Sequence, residues 1–64
     1  MIRMYQFEDC FVESGTLVVY PYGHGSGVRI EVEDEDGNFS AIALNKKDVV
    51  ELAKCLINLA NGER

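Results

Sequence analysis

The clearest pattern in the chain is a strict alternation of apolar and polar residues near its middle. From Val28 to Glu33, Val or Ile occupies every second position, and Arg or Glu occupies the positions between. Successive side chains of a strand point to opposite faces, so this pattern predicts a strand with one buried and one solvated face. A second apolar segment, Phe39–Leu44, follows a short polar sequence. Together the two segments predict a β-hairpin.

The register of this hairpin depends on its turn segment, Asp34–Gly37. A type I turn followed by a left-handed glycine places Ile42 opposite Ile30, so that large aliphatic residues of both strands share one face. A tighter two-residue turn shifts the pairing by one residue and directs Ala41 and Ala43 to the core instead. The first register is favoured because it buries the larger side chains.

The first half of the chain also has the composition of strands. Arg3–Val12 contains several aromatic and aliphatic residues, and Thr16–Tyr20 is rich in β-branched and aromatic residues. Ser14 and Gly15 between them form a turn signal, which predicts two antiparallel strands. Pro21 removes a backbone donor, so we expect regular pairing to stop near it.

The last third of the chain predicts a helix from about Lys46 to Asn61. Asn45 is a favourable N-cap, Asp48 suits the positive end of the helix dipole, and Gly62 lies where a C-cap usually falls. Four strands followed by one helix predict an α+β fold. We expect a single domain, residues 1–64, in which a four-stranded antiparallel β-meander carries one C-terminal amphipathic α-helix packed on one sheet face.

The apolar surface of this helix is wider than a small monomer needs. Its aliphatic and Cys residues span about 220° of the circumference at 100° per residue, whereas a surface helix typically shows about 100° or somewhat more. An excess of this kind usually marks an interface. We therefore expect a homodimer whose seam is formed by Val50, Cys55, Ile57 and Leu59.

Charge and composition narrow the classes of partner. The 64 residues carry six Lys and Arg against eleven Asp and Glu, a net charge of −5, without a basic stripe for phosphates. Direct nucleic-acid binding is therefore disfavoured, and no apolar run is long enough to cross a bilayer. Cys10 and Cys55 lie far apart in apolar contexts, which predicts inert buried thiols in a cytoplasmic protein.

Five carboxylates are concentrated around the predicted hairpin turn. Three interpretations compete: a solvated turn, a contact for a basic protein surface, and a hard-cation site. The metal interpretation is weakest because the spacing is not that of a calcium-binding loop. The contact interpretation assigns partner binding to Glu31, Glu33, Asp34, Glu35 and Asp36.

A glycine-rich segment between the second and third predicted strands is the main alternative site. Backbone amides at glycine can surround an anion, an aromatic ring can stack on a ligand, and His24 can donate to a phosphate or carboxylate. A simple connector is the commoner role of such a loop, since phosphate-binding glycine loops usually lead into a helix. The ligand-binding alternative involves Tyr20, Tyr22, Gly23, His24, Gly25, Ser26 and Gly27.

The chain shows no machinery for catalysis. The single histidine has no carboxylate within a few residues, and Ser14, Ser26 and Ser40 lie in no nucleophile motif. No cofactor or metal motif is present. We therefore expect a non-enzymatic acidic interaction factor, a homodimer that binds and modulates or inhibits a larger protein with a basic surface. A small-ligand binder is the alternative.

Overall fold

The computed structural model describes residues 3–11 and 14–62, which form four strands and one helix. The strands are β1 (Tyr5–Glu8), β2 (Thr16–Tyr22), β3 (Gly27–Glu33) and β4 (Phe39–Asn45), and the helix is α1 (Lys46–Ala60). The strands form an antiparallel sheet in chain order, and α1 contacts β3 and β4. The predicted meander with a C-terminal helix is confirmed.

The favoured register of the β3–β4 hairpin is also confirmed. Ile30 pairs with Ile42, and the Asp34 amide donates to the Asn38 carbonyl at 2.9 Å. The Gly37 amide closes the type I turn on the Asp34 carbonyl at 3.1 Å, and Gly37 has a φ of 83°. Glycine adopts this left-handed conformation without a steric penalty, which explains why the turn ends there.

The pairing divides the sheet into two faces, because directly opposed residues of an antiparallel sheet point to the same side. We call the two sides the apolar face and the polar face. The apolar face is formed by Tyr5, Phe7, Leu17, Val19, Pro21, Val28, Ile30, Val32, Ser40, Ile42 and Leu44. The polar face is formed by Gln6, Glu8, Thr16, Val18, Tyr20, Tyr22, Gly27, Arg29, Glu31, Glu33, Phe39, Ala41, Ala43 and Asn45.

The first two strands differ in length from the sequence prediction. β1 covers only Tyr5–Glu8 of the predicted Arg3–Val12, and Val12 lies outside the described residues. β2 continues two residues beyond the predicted Tyr20 and ends at Tyr22, directly after the proline, near which pairing was expected to stop. β1 reaches only as far as the position opposite Val19, so no strand lies beside Pro21 on that side to require its missing amide.

The ends of α1 follow their capping residues. The Asn45 side-chain oxygen accepts a hydrogen bond from the Asp48 amide at 2.8 Å, which confirms Asn45 as the N-cap. At the other end the Gly62 amide donates to the Leu59 carbonyl at 3.1 Å, with φ of 86° at Gly62. The helix ends at Ala60, close to the predicted Asn61, because a left-handed residue cannot continue it.

Contact between α1 and the sheet is limited to the beginning of the helix. Val49 is half-buried, whereas every other residue of α1 is exposed. Leu56 lies on the same stripe as Val49 two turns later, yet its side chain is 57% exposed. The helix therefore leaves the sheet after its first turn, and most of its apolar surface faces solvent.

The chain consequently has little interior. No hydrophobic side chain among the described residues is buried, and the radius of gyration is 13.0 Å, against about 11 Å expected for a compact domain of this length.

In residues 3–11 and 14–62, no helix has the length and apolar character needed to span a bilayer.

Candidate interaction surfaces

The apolar face is the largest uncovered hydrophobic surface of the sheet. Phe7 is 60% exposed and Ile42 is 58% exposed, although sequence analysis placed this face beneath the protein's own helix. Shallow concavities of about 430, 240 and 120 Å³ lie along it, and none of these three is lined by a residue of α1. The face that should hold the core is therefore open to solvent.

The helix presents a second uncovered hydrophobic surface. The predicted seam residues Val50, Cys55, Ile57 and Leu59 are all exposed, as that prediction requires. They lie on two flanks of the helix, and Leu56, which is 57% exposed and was not part of the predicted seam, lies between them. The uncovered helix surface is thus broader than the predicted seam.

Charged residues border the apolar face without lying on its strand positions. None of the strand residues of the apolar face carries a charge. Glu31, Glu33 and Arg29 lie on the polar face, and Glu35 and Asp36 lie in the β3–β4 turn. At the turn end of the sheet, Glu33 and Glu35 line the same concavity as Phe7 and Val32, so charge meets the apolar face at this end.

Two of the five predicted partner-binding carboxylates, Asp34 and Glu31, make hydrogen bonds within the protein. Asp34 is occupied by the turn itself, since its carboxylate accepts from the amides of Asp36 and Asn38 at 2.9 Å and from the Asn38 side chain at 3.0 Å. The bonds from Asn38 contribute most to lowering the pKa of Asp34 below its usual value. Asp34 therefore shapes the turn, and its contact with a partner stays a prediction.

Glu31 is also engaged within the protein. Its carboxylate accepts a hydrogen bond from the Tyr20 hydroxyl and lies 3.0 Å from Arg29 Nε. These two donors, Tyr20 first, lower the pKa of Glu31, and the same bond raises the pKa of Tyr20. The Arg29 guanidinium lies 5.6 Å from the centre of the Tyr22 ring, a cation–π distance.

Three carboxylates of the predicted site remain available to a partner. Glu33, Glu35 and Asp36 are exposed, and their carboxylates make no hydrogen bond or ion pair with any described residue. Glu33 ends β3, and the other two follow within three positions. These three residues, which we call the acidic tip, are the part of the predicted contact that the fold leaves unoccupied.

The glycine-rich segment forms a tight hairpin turn between β2 and β3. Gly23, His24 and Gly25 all have positive φ, at 62°, 56° and 85°. Ser26 closes the turn on the Gly23 carbonyl through its amide at 3.0 Å and its hydroxyl at 2.6 Å. Tyr22 and Gly27 pair across the hairpin as strand residues.

The two aromatic residues of the predicted ligand-binding set make contacts on the polar face. The Tyr20 hydroxyl bonds to Glu31, and Tyr22 lies beneath Arg29, so both aromatic residues are engaged on the polar face. His24 is exposed in the turn. Anion binding by this segment stays a prediction.

The expectation of buried cysteines is wrong. Cys10 and Cys55 are both exposed free thiols. Cys10 follows β1 instead of lying within it, and Cys55 lies on the part of α1 that leaves the sheet. Among residues 3–11 and 14–62, no three His, Cys, Asp or Glu side chains are grouped closely enough to hold a metal ion.

The chain matches no protein-family model, no curated protein and no solved structure in the comparisons made. Arguments about its function therefore depend on its own surfaces, of which the apolar face, the uncovered side of α1 and the acidic tip are the most distinctive.

Proposed function

We propose that the protein is a non-enzymatic interaction factor that works as a homodimer and binds a basic surface on a larger protein. The observation that supports this proposal is the combination of an open apolar face with an uncovered amphipathic helix. Exposed hydrophobic surface of this extent is typical of a protein whose folded form includes a partner.

The acidic tip is the proposed contact for the larger protein. Glu33, Glu35 and Asp36 lie together at the free end of the β3–β4 hairpin, and the net charge of −5 is of the sign that a basic surface attracts. Exposed charges of this kind mainly accelerate association and select partners by charge complementarity. Occupying the basic surface would modulate or inhibit the larger protein.

The proposal is tested by charge reversal with a matched control. Glu35→Lys reverses one of the three charges of the acidic tip, and Glu51→Lys on α1 makes the same change in net charge elsewhere. Each protein is immobilised, proteins from a lysate are captured at low and at high salt, and the captured proteins are identified by mass spectrometry. A partner of the acidic tip is retained by the wild type and by the control, but lost with the tip variant.

High salt should release the same partner from the wild type, because exposed charges are screened within about 10 Å at 0.1 M ionic strength. Equal loss with both variants would show that only net charge matters and would refute the acidic tip as a contact. Undiminished binding by the tip variant would refute it as well.

A further inference from the structure

The apolar face is complementary in kind to the uncovered side of α1. One is a flat sheet surface of aliphatic and aromatic residues, and the other is a helix with an apolar arc of about 220°. The sequence predicts that the two surfaces meet within one chain, but the residues of α1 after Val49 are exposed. Each surface therefore lacks an apolar partner within the chain, and the two surfaces could bury each other.

The missing cover has the size of a homodimer interface. The protein exposes 5501 Å², whereas a folded monomer of 7.2 kDa is expected to expose about 4,100 Å². Two chains that each bury the difference of about 1,400 Å² would remove about 2,800 Å² in total, within the range of about 2,000–5,000 Å² for obligate homodimers.

The placement of charge permits a second copy of this chain as the occupant. Two chains with a net charge of −5 repel each other unless their carboxylates stay apart. The strand residues of the apolar face carry no charge, and the acidic tip, Glu31 and Arg29 lie at the hairpin end or on the opposite face. Contact at Val19, Ile30 and Ile42 buries hydrophobic residues away from the concavity that Glu33 and Glu35 line, and keeps these charges in solvent.

From these observations we infer that α1 of one chain packs on the apolar face of its partner, and the partner's helix packs on the first chain in return. This inference deepens the proposed homodimer and depends on it. This reciprocal arrangement has the two-fold symmetry of most homodimers. The helix of each chain contacts the sheet of the other, so the same contact occurs twice. The width of the apolar arc also leaves one side of each helix to contact the second helix.

The arrangement is tested by complementation between two variants. Ile42→Asp places a charge on the apolar face, and Leu56→Lys places one at the centre of the apolar arc of α1. Both side chains are more than half exposed in the single chain, so neither substitution removes much packing within it. In either homodimer both sheet–helix contacts carry an uncompensated charge, and we expect dimer affinity to fall at least about 100-fold.

Mixing the two variants restores one native contact and opposes Asp to Lys in the other. Equimolar variants are unfolded together and refolded, then examined by light scattering, native mass spectrometry and far-UV circular dichroism. We expect each variant alone to be monomeric or unfolded, and the mixture to give a folded heterodimer. Ala41→Lys on the polar face and Asn58→Lys on the polar stripe of α1 are matched controls that should stay dimeric.

The alternatives give different results. If Ile42→Asp alone leaves a stable dimer, a helix-only seam is correct and the sheet–helix exchange is overturned, while the proposed homodimer stands. If both variants dissociate but the mixture forms no heterodimer, the exchange is overturned in the same way. If the wild-type protein stays monomeric in light scattering over a series of dilutions, both the exchange and the proposed homodimer are refuted.

Discussion

The Tyr20 hydroxyl donates a hydrogen bond to the Glu31 carboxylate across the β2–β3 pair, although the two residues are not directly opposed. Tyr20 is opposite Arg29, and Arg29 Nε lies 3.0 Å from the same carboxylate oxygen. One carboxylate thus joins a phenol from β2 to a guanidinium from β3. This diagonal cluster organises the centre of the polar face.

Removing the Tyr20 hydroxyl should raise the pKa of Glu31 towards its usual value. The bond from Tyr20 is the largest cause of the lowered pKa of Glu31, so Tyr20→Phe leaves Arg29 as the main remaining donor. Carbon-detected NMR titration of the Glu31 carboxyl measures the change. Tyr22→Phe is the matched control, since that ring contacts Arg29 and its hydroxyl does not bond to Glu31. An unchanged pKa in Tyr20→Phe would contradict the bond.

The hydrogen-bonded carboxylates should make the fold sensitive to acid. The pKa values of Glu31 and Asp34 are lowered in the folded protein, so protons bind more readily to the unfolded chain. Their contribution to stability is present above the ordinary carboxyl values of about 4 and is lost as the pH falls through the lower folded values. Thermal melting at fixed protein concentration from neutral to acidic pH should show this loss. A melting temperature independent of pH below about 4 would exclude it.

Asp34 should contribute more to the hairpin than its acidic neighbours. Its carboxylate accepts three hydrogen bonds from Asp36 and Asn38, whereas the Glu35 carboxylate accepts none from the described residues. We expect Asp34→Ala to lower the melting temperature clearly and Glu35→Ala to leave it nearly unchanged, although both remove one negative charge. Equal effects would show that charge, and not the turn bonds, stabilises the hairpin.

Loss of the N-cap should weaken α1. Asn45→Ala removes the acceptor for the Asp48 amide, and such substitutions cost about 1 kcal/mol of stability. Asn58→Ala on the polar stripe is the control and should cost less than about 0.5 kcal/mol, as exposed substitutions usually do. Urea unfolding at matched protein concentrations measures both. Equal costs would mean that the Asn45 bond adds nothing to the helix.

Gly27 is required where β3 passes close to β4. A side chain there would collide with the Leu44 carbonyl oxygen, so Gly27→Ala should cost about 1–3 kcal/mol, as overpacking does. The control is Gly25→Asn, where nothing lies within 4 Å and the left-handed φ of 85° suits Asn. Denaturant unfolding compares the two. A neutral Gly27→Ala would show that the two strands separate without cost.

Local features of the fold were predictable because they depend on residues a few positions apart. The alternation from Val28 to Glu33 predicted β3 and its faces, and Asp34 with Gly37 predicted the turn and register that the structure confirms. Asn45 and Gly62 likewise predicted the ends of the helix. In each case the deciding feature involves residues a few positions apart: the alternation of side chains in β3, the turn hydrogen bond at Asp34, the capping side chain of Asn45 and the left-handed φ of Gly62.

The polar face shows the first limit of such reasoning. The bond between Glu31 and Tyr20, eleven residues away, was not predicted, because it depends on the pairing of β2 with β3, while the predicted contact of Glu31 with a partner stays a prediction. Asp34 also differs from the residues of the acidic tip, because its carboxylate accepts hydrogen bonds in the folded turn. The composition of the segment alone does not show which of its carboxylates makes such bonds and which is solvated.

The sequence alone determined the strands, the turn and the helix of this protein, since each depends on local hydrogen bonding and on the alternation of side chains. Only the tertiary structure decided where α1 goes. Its direction depends on how the first turn packs on the sheet: Val49 is half-buried there, whereas Leu56, two turns later, is 57% exposed. Most of the apolar surface of α1 is exposed, so the apolar face and the helix form two exposed surfaces where a single core was predicted.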